Sequence, residues 1–412
     1  MMMNNKKLQR AEFIKMTGGL AFLMLSNKWS FAQNSLSSDL VSSPQKRQEY
    51  TIALLKKLVT DIGPRPSGSK ALERAAKIIM KEMQRFLPIV NFDKYEFDDW
   101  GPVSGSDLIV GGQHIEAIPQ KRGFGTPIEG VMGTFTKSGS GYSIINEQNA
   151  DILAYFSVSQ YGRAIAGSGN GNMNKSIPVF GLGKQDVPIL DRSAKNKLSA
   201  WVKSEYKPVH KAPGINVIGR IPGKSKDEIL IIAHLDTIFN TPGANDNAAS
   251  VIVMLMLAHA ASRRQNNHSI TFVASDSEEY VYEGAHHYAE SRIAENTMED
   301  IKYVLNFDSL TYGPNLWINS KDQLVKDIIR DIHKDLNIDS TPIYGENDGF
   351  VMDSMPFKPS GAKALHANSR GYDEKTLPVY HRPDDTADKV PLDCVEISFQ
   401  VFDEFIKRVN RL

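Results

Sequence analysis

The sequence predicts an α/β protein, a mainly parallel mixed sheet flanked by helices and interrupted by an inserted β-rich domain. Two observations carry the main sheet. Apolar runs at 228–233, 269–274 and 303–307 read as buried strands, and helical patterns at 248–263, 284–294 and 323–336 alternate with them. A third observation carries the insert: between residues 101 and 208 the texture shifts to short β-like runs punctuated by glycine.

The elements follow in order. Residues 1–32 read as an export signal, with Lys6, Lys7, Arg10 and Lys15 as a basic start and 16–25 as a short apolar stretch. Ser30, Phe31 and Ala32 offer small residues for cleavage before Gln33. The stretch is too short for a permanent anchor, so a secreted or periplasmic protein with no stable membrane anchor is expected. Residues 9–15 faintly resemble a twin-arginine signal, with Ala11 where the second arginine belongs. An amphipathic N-terminal helix of the mature protein is the competing reading.

Residues 33–100 read as the first part of a catalytic domain. Ile52, Leu55, Val59 and Ile62 form a helical stripe, which Gly63-Pro64-Arg65-Pro66 breaks. A second helix is expected over 70–86, with Leu72, Ala75, Ile79 and Met83 inward, then an edge strand over 90–97. Within 101–208, runs such as 151–157 and 177–181 suggest the inserted domain, and elaborated loops on the main domain are the alternative. Residues 209–412 resume the catalytic domain, with a short strand at 362–365 and a closing helix at 395–412.

Composition limits the partners. The 412 residues, 41% hydrophobic, suffice for a large core. Lys+Arg 48 balances Asp+Glu 48, so no net field favours nucleic acid or an anionic membrane. A small neutral or mixed-charge substrate is expected. The single cysteine, Cys394, excludes an internal disulfide.

The chemistry concentrates at the ends of the apolar runs. His234, Asp236, Asp246, Glu278, Glu279, Asp308, Tyr380 and His381 each follow such a run or sit in a loop beside one, where an open α/β sheet carries its site. Imidazole and carboxylate are zinc ligands, and two ions about 3.5–4 Å apart need a bridging carboxylate plus terminal ligands for each. Asp246 suits the bridge, with His234 and Asp308 on one ion and Glu279 and His381 on the other. A water shared by the ions would be acidified, and Glu278 is left to take its proton. Asp236 is placed to hold the second nitrogen of His234, and the Tyr380 hydroxyl to stabilise an oxyanion. Alone, a His-X-Asp or a Glu-Glu pair is more often a cap or a solvated helix start. His286, His287 and His366 are read as packing or solvated residues.

Several stretches together resemble the co-catalytic dizinc exopeptidases, a family that includes secreted bacterial aminopeptidases, plasma glutamate carboxypeptidase and glutamate carboxypeptidase II. They are Ala-His-Leu-Asp-Thr (233–237), Gly-Ala-Asn-Asp-Asn-Ala (243–248), Ser-Glu-Glu-Tyr (277–280) with Glu283-Gly284, Asn-Phe-Asp-Ser (306–309) and Tyr-His-Arg-Pro-Asp-Asp-Thr (380–386). Residues 62–69 resemble the family's leading segment. The resemblance implies the zinc exopeptidase fold, two zinc ions, and His234, Asp246, Glu279, Asp308 and His381 as ligands. It implies Glu278 as general base, Asp236 and Tyr380 in support, and a peptide or small peptide-like substrate. Cobalt or manganese fits the same ligands.

Residues 101–208 lie where several family members insert a protease-associated domain, and 126–131, 177–181 and 216–223 resemble its borders and internal strands. Ser250, Arg382 and the Tyr280-Val-Tyr282 run depart from the family's pattern. Arg382 is read as a surface arginine solvated beside Asp384 or Asp385, with contact to a substrate carboxylate as the other reading. The expected function is a secreted zinc-dependent aminopeptidase. A dipeptidase or carboxypeptidase of the same fold, a glutaminyl cyclase and a non-catalytic binding homologue are the alternatives.

Overall fold

A computed structural model describes residues 40–99, 106–120, 124–160, 162–166, 177–204, 209–370 and 377–412. The expected export signal at 1–32 and the glycine-rich run at 167–174 lie outside the described residues. Two helices open the described chain. α1 (Pro44–Leu55) starts with the Ser43 hydroxyl accepting from the Lys46 N–H and continues as a π-helical segment, Lys56–Ile62. Gly63, at φ 80°, turns the chain out of it in a conformation that side chains rarely adopt. α2 (Lys70–Gln84) is capped by Ser69 and buries the predicted face of Leu72, Ala75, Ile79 and Met83.

β1 (Ile89–Asp99) is the predicted edge strand, and the chain leaves it to build a separate sheet. That sheet holds β2 (Ser106–Val110), β3 (Gln113–Ile115), β4 (Ala117–Pro119), β5 (Val131–Ser138), β6 (Gly141–Ile145), β7 (Ile152–Val158), β8 (Val179–Leu182) and β9 (Ser199–Ser204). Their order is β3-β2-β9-β5-β6-β7-β8-β4. Phe135, Tyr142, Phe156 and Phe180 point inward, where their rings stack and tilt against one another beside α3 (Val187–Lys195). The chain returns through β10 (Val209–Ile221), which pairs antiparallel with β1 from Ile89↔Arg220 to Asp99↔Val209. The second sheet therefore leaves and rejoins the main sheet at neighbouring points.

The main sheet runs β1-β10-β12-β11-β13-β16-β14-β15. β11 (Glu228–His234), β12 (Ser269–Ser275), β13 (Ile301–Phe307) and β16 (Lys363–Arg370) form its parallel centre. Every residue of β11 and β12 is buried, which is why their sequences are apolar runs rather than alternating patterns. β14 (Asn315–Asn319), antiparallel to β16, and the three-residue β15 (Ile343–Gly345) complete the far edge. Neither shows a period in the sequence, since they are only five and three residues long. The run at 216–223, read as part of the insert's border, mostly lies in β10 of the main sheet.

Helices cover both faces. α4 (Ala249–Ser262) is apolar all round because it lies between β11 on one side and α1, α2 and the closing helix on the other. α5 (Glu283–Ala294) packs Ala285, Tyr288 and Ala289 on the opposite face against Leu230, Ile232 and Val273. The amphipathic α6 (Gln323–Asp335) buries Val325, Ile328, Ile329 and Ile332, and α7 (Leu392–Val409) closes the fold. No helix among the described residues is long and apolar enough to cross a membrane.

At the amino end of β11, the buried Glu228 accepts both terminal nitrogens of Arg292, at 2.6 and 3.3 Å, with Arg220 at 3.2 Å. Removing one partner of a buried pair leaves an uncompensated charge. Arg292→Met is expected to cost about 3 kcal/mol, the low end of the range because Arg220 stays. A lower urea midpoint at unchanged slope checks this, and an unchanged midpoint would contradict it.

Candidate metal centre

The parallel register brings the carboxyl ends of three strands to one edge. His234 ends β11 opposite Ser275 of β12, and Ile232 pairs with Asn306 of β13, two residues before Asp308. The chain turns sharply beside the predicted ligands. Ser277, Ser309 and His381 have φ of 63°, 49° and 53°, left-handed conformations that non-glycine residues adopt at a cost and that cluster at functional sites.

Two triads result, His234–Asp246–Asp308 and Asp246–Glu279–His381, with ligand atoms in each within 4.8 Å of one another. Asp246 is common to both. Its Oδ1 lies 3.2 Å from His234 Nε2 and its Oδ2 3.6 Å from His381 Nε2. Asp308 Oδ1 is 3.5 Å from His234 Nε2, and Glu279 Oε2 is 3.2 Å from His381 Nε2. Glu278 belongs to neither triad and holds Oε2 3.9 Å from His234 Nε2. The Tyr380 ring stacks on His381 with centroids 3.7 Å apart. The structure thus gathers all eight residues singled out in the sequence.

Asp236 departs from its expected geometry. His234 Nδ1 bonds the Asp236 main-chain carbonyl at 3.1 Å, whereas the carboxylate Oδ1 stands 3.6 Å away. The carboxylate accepts instead from the N–H groups of Glu278 and Glu279, at 3.1 and 3.2 Å, and from the Ser67 hydroxyl at 3.1 Å. One residue therefore fixes the His234 tautomer through its backbone and the acidic pair through its side chain.

Supporting residues within the quoted motifs complete the frame. Arg65 is fully buried and donates to the carbonyls of Leu58, Gly63, Leu235, Pro242 and Gly243, holding the loop after His234. Asp385 accepts from the N–H groups of Asn245 and Asp246, tying the loop of the shared aspartate to the loop of His381. Asn247 donates to the Phe307 carbonyl and accepts from the Ser309 N–H, which ties the same loop to Asp308. Ser250 accepts the Leu310 N–H at 3.0 Å, giving the unexpected hydroxyl a partner. A run of Asn, Asp and Arg inside the Gly-Ala-Asn-Asp-Asn and Pro-Arg-Pro-Ser stretches was the available signal for these.

Arg382 is not the solvated surface residue the sequence suggested. It is 1% exposed and paired with Glu116 of the second sheet at 3.0 Å. A contact between residues 266 positions apart leaves no local trace. Of the other histidines, His287 pairs with Asp93 at 3.0 Å and stacks on Tyr95, and His366 is buried against Asn319.

Burial sets the electrostatics. It raises the Asp246 and Glu278 carboxyls above their ordinary range, Glu278 strongly, with neighbouring carboxylates adding to the effect. Burial alone would lower His234, yet the carboxylates around it, Glu278 first and then Asp236, Asp246 and Asp308, hold it well above its ordinary value. Burial, then the carboxylates around it, pushes the Tyr380 hydroxyl well up. His234 Nε2 has no hydrogen-bond partner although carboxylate oxygens surround it. A buried imidazole nitrogen without a hydrogen-bond partner, set among carboxylate oxygens, is the donor set of a divalent cation, so the residues present fit zinc.

Residues 216–406 match the model of peptidase family M28. Aminopeptidase YwaD of Bacillus subtilis is 25% identical over 381 residues, covering 84% of this chain and 81% of that protein. A zinc aminopeptidase structure from Bacillus subtilis shares the fold with TM-score 0.70 at 20% identity, over 88% of this chain and 95% of that one. A glutaminyl cyclase from an Acidobacteriales bacterium aligns with TM-score 0.52 at 16% identity, over 92% and 99%. Residues 216–406, which carry all five predicted ligands, are thus similar to peptidase family M28, and the relatives point to a zinc aminopeptidase-like enzyme. The chain is accordingly a metallopeptidase, a hydrolase.

A pH dependence follows from the carboxyls behind the ligands. Burial, with the Asp236 charge second, pushes Asp276 up to about 8, and burial pushes Asp353 to about 7 and Asp385 to about 6. Unfolded carboxyls titrate near 4, so the folded chain binds more protons above that pH. The stability these protons supply is complete below about pH 4 and is lost as pH rises through about 6 to 8. Melts of chelator-treated protein are expected to show a lower Tm at pH 8 than at pH 5.5, and the reverse order would contradict these carboxyl environments.

Proposed function

We propose that the protein is a secreted or periplasmic zinc aminopeptidase that holds two zinc ions and removes the N-terminal residue of a peptide. The single observation that carries this reading is the pair of triads sharing Asp246 with Glu278 beside them. His234 and Asp308 would hold one ion and Glu279 and His381 the other, with Asp246 serving both. Zinc bound there supplies Lewis acidity toward the scissile carbonyl and the attacking water.

The remaining chemistry belongs to side chains. Glu278 is buried and its carboxyl has a raised affinity for a proton, so it takes the proton of the attacking water and passes it to the leaving amine. The backbone N–H of Glu278 on Asp236 fixes where that carboxylate starts. The Tyr380 hydroxyl, kept protonated by burial and by surrounding carboxylates, donates to the oxygen that gains charge in the transition state.

Charge chooses the terminus. Among the described residues the cations beside the centre, Arg65 and Arg382, are buried and bonded to carbonyls and to Glu116. A free α-amine would be attracted by the acids gathered at the centre. The similarity to an aminopeptidase over most of both chains supports the same choice. The second sheet between Ser106 and Ser204 is read as an inserted protease-associated-like domain occupying 101–208, and residues 1–32 as a cleaved export signal.

Three measurements test this. Wild-type protein is expected to hold two zinc ions and to cleave aminoacyl rather than carboxyl-terminal dipeptide substrates. Glu278→Gln should keep the metal and lower kcat about 10²–10⁴-fold. Cyclisation of N-terminal glutamine without hydrolysis would instead establish a glutaminyl cyclase. N-terminal sequencing of exported protein should begin at Gln33, and a retained residue 1 on cytosolic protein would overturn export.

A further inference from the structure

The two histidines of the metal centre are oriented from different places. His234 Nδ1 bonds the Asp236 carbonyl at 3.1 Å, two residues along its own chain segment. His381 Nδ1 bonds the carbonyl of Ala166, which belongs to the second sheet's connection between β7 and β8. A carbonyl only accepts, so this bond places the proton on Nδ1 and leaves the lone pair on Nε2, the atom facing Asp246 and Glu279.

The same connection is clamped to the residue next to His381. One terminal nitrogen of Arg382 donates to the Ala164 carbonyl and the other to Glu116 Oε1 at 3.0 Å. Glu116 Oε2 accepts the Ala164 N–H at 3.3 Å, and Arg163 joins Glu116 at 3.3 Å to Asp384. Ile118, Ala164 and Ala166 bury an apolar contact against Ile238, just past Asp236. Arg382 is 1% exposed, so its charge depends on Glu116 being there.

We propose that the second sheet is a working part of the metal centre. Glu116, Arg163 and Arg382 are positioning residues that lock the 162–166 connection so that its Ala166 carbonyl sets the His381 ring. The proposal rests on His381 being a ligand. Its consequence is an asymmetric centre: the position served by His234 and Asp308 is organised within the main sheet, and the position served by Glu279 and His381 requires the second sheet in place. Displacement of that sheet would weaken one metal position selectively.

The test titrates zinc into the metal-free mature chain and follows each binding step by calorimetry. Glu116→Gln is expected to leave one step unchanged and raise the Kd of the other about tenfold, as loss of a partner behind a ligand does. Activity at limiting zinc should fall with it and return in excess zinc, with kcat then near wild type and KM unchanged. Arg163→Met, at a half-exposed residue, is expected to act in the same direction and guards against a misfolded first variant. Asp191→Asn breaks the exposed pair between α3 and Lys137 of the second sheet and should change neither step. Two unchanged steps in both Glu116→Gln and Arg163→Met, or two equally weakened steps with a lower metal-free Tm, would overturn the positioning role alone. A wild type binding fewer than two zinc ions, or a His381→Ala variant retaining both, would overturn the metal assignment beneath it.

Discussion

Everything at the carboxyl edge of the main sheet depends on keeping acids together out of water. Asp246, Glu278 and Glu279 are buried within the same few ångströms, with Asp308 beside them. Two carboxylates about 4 Å apart repel by about 4 kcal/mol at an effective dielectric near 20, and burial adds its own cost. The imidazoles and the fully buried Arg65, itself pushed down to about 10 by burial, offset part of that. A divalent cation would offset the rest, so the cost of gathering these acids and their affinity for metal have one origin.

That constraint explains the rigidity of what surrounds the site. Isolated ligand loops would spread under their own charge, and here each is sewn to another. Asp385 joins the loop of Asp246 to that of His381, Asn247 joins it to Asp308, and Asp236 joins the end of β11 to Glu278 and Glu279. Arg65 fastens the helical entrance to the loop that carries Asp236. Apart from the fully buried Arg65, these bonds are made by backbone groups and short side chains, which hold position more firmly than long solvated ones. The left-handed backbone at Ser277, Ser309 and His381 persists because its neighbours determine it.

Function then divides along the architecture. The parallel strands deliver His234, the Glu278–Glu279 pair and Asp308 from one rigid layer, and the shared aspartate comes from the turn into α4. His381 comes from a loop near the carboxyl end, and the second sheet meets it through the Ala166 carbonyl. A sheet that leaves β1 and returns through β10 at adjacent backbone positions can be carried by the fold without disturbing its core. It can also reach over the site and become necessary to it.

The sequence by itself determined the main strands, the helices on both faces and the eight residues that gather at the site. Those features are written in local periodicity and in residue types whose chemistry is specific, such as a histidine closing a fully apolar run. Strands as short as β14 and β15 left no period to read. The tertiary structure alone decided which Asp236 atom meets His234, why Arg382 is buried and that the second sheet supports His381. Each of those depends on a main-chain carbonyl or on a partner hundreds of residues away. Backbone atoms are the same in every sequence, and distance along the chain hides what burial brings together.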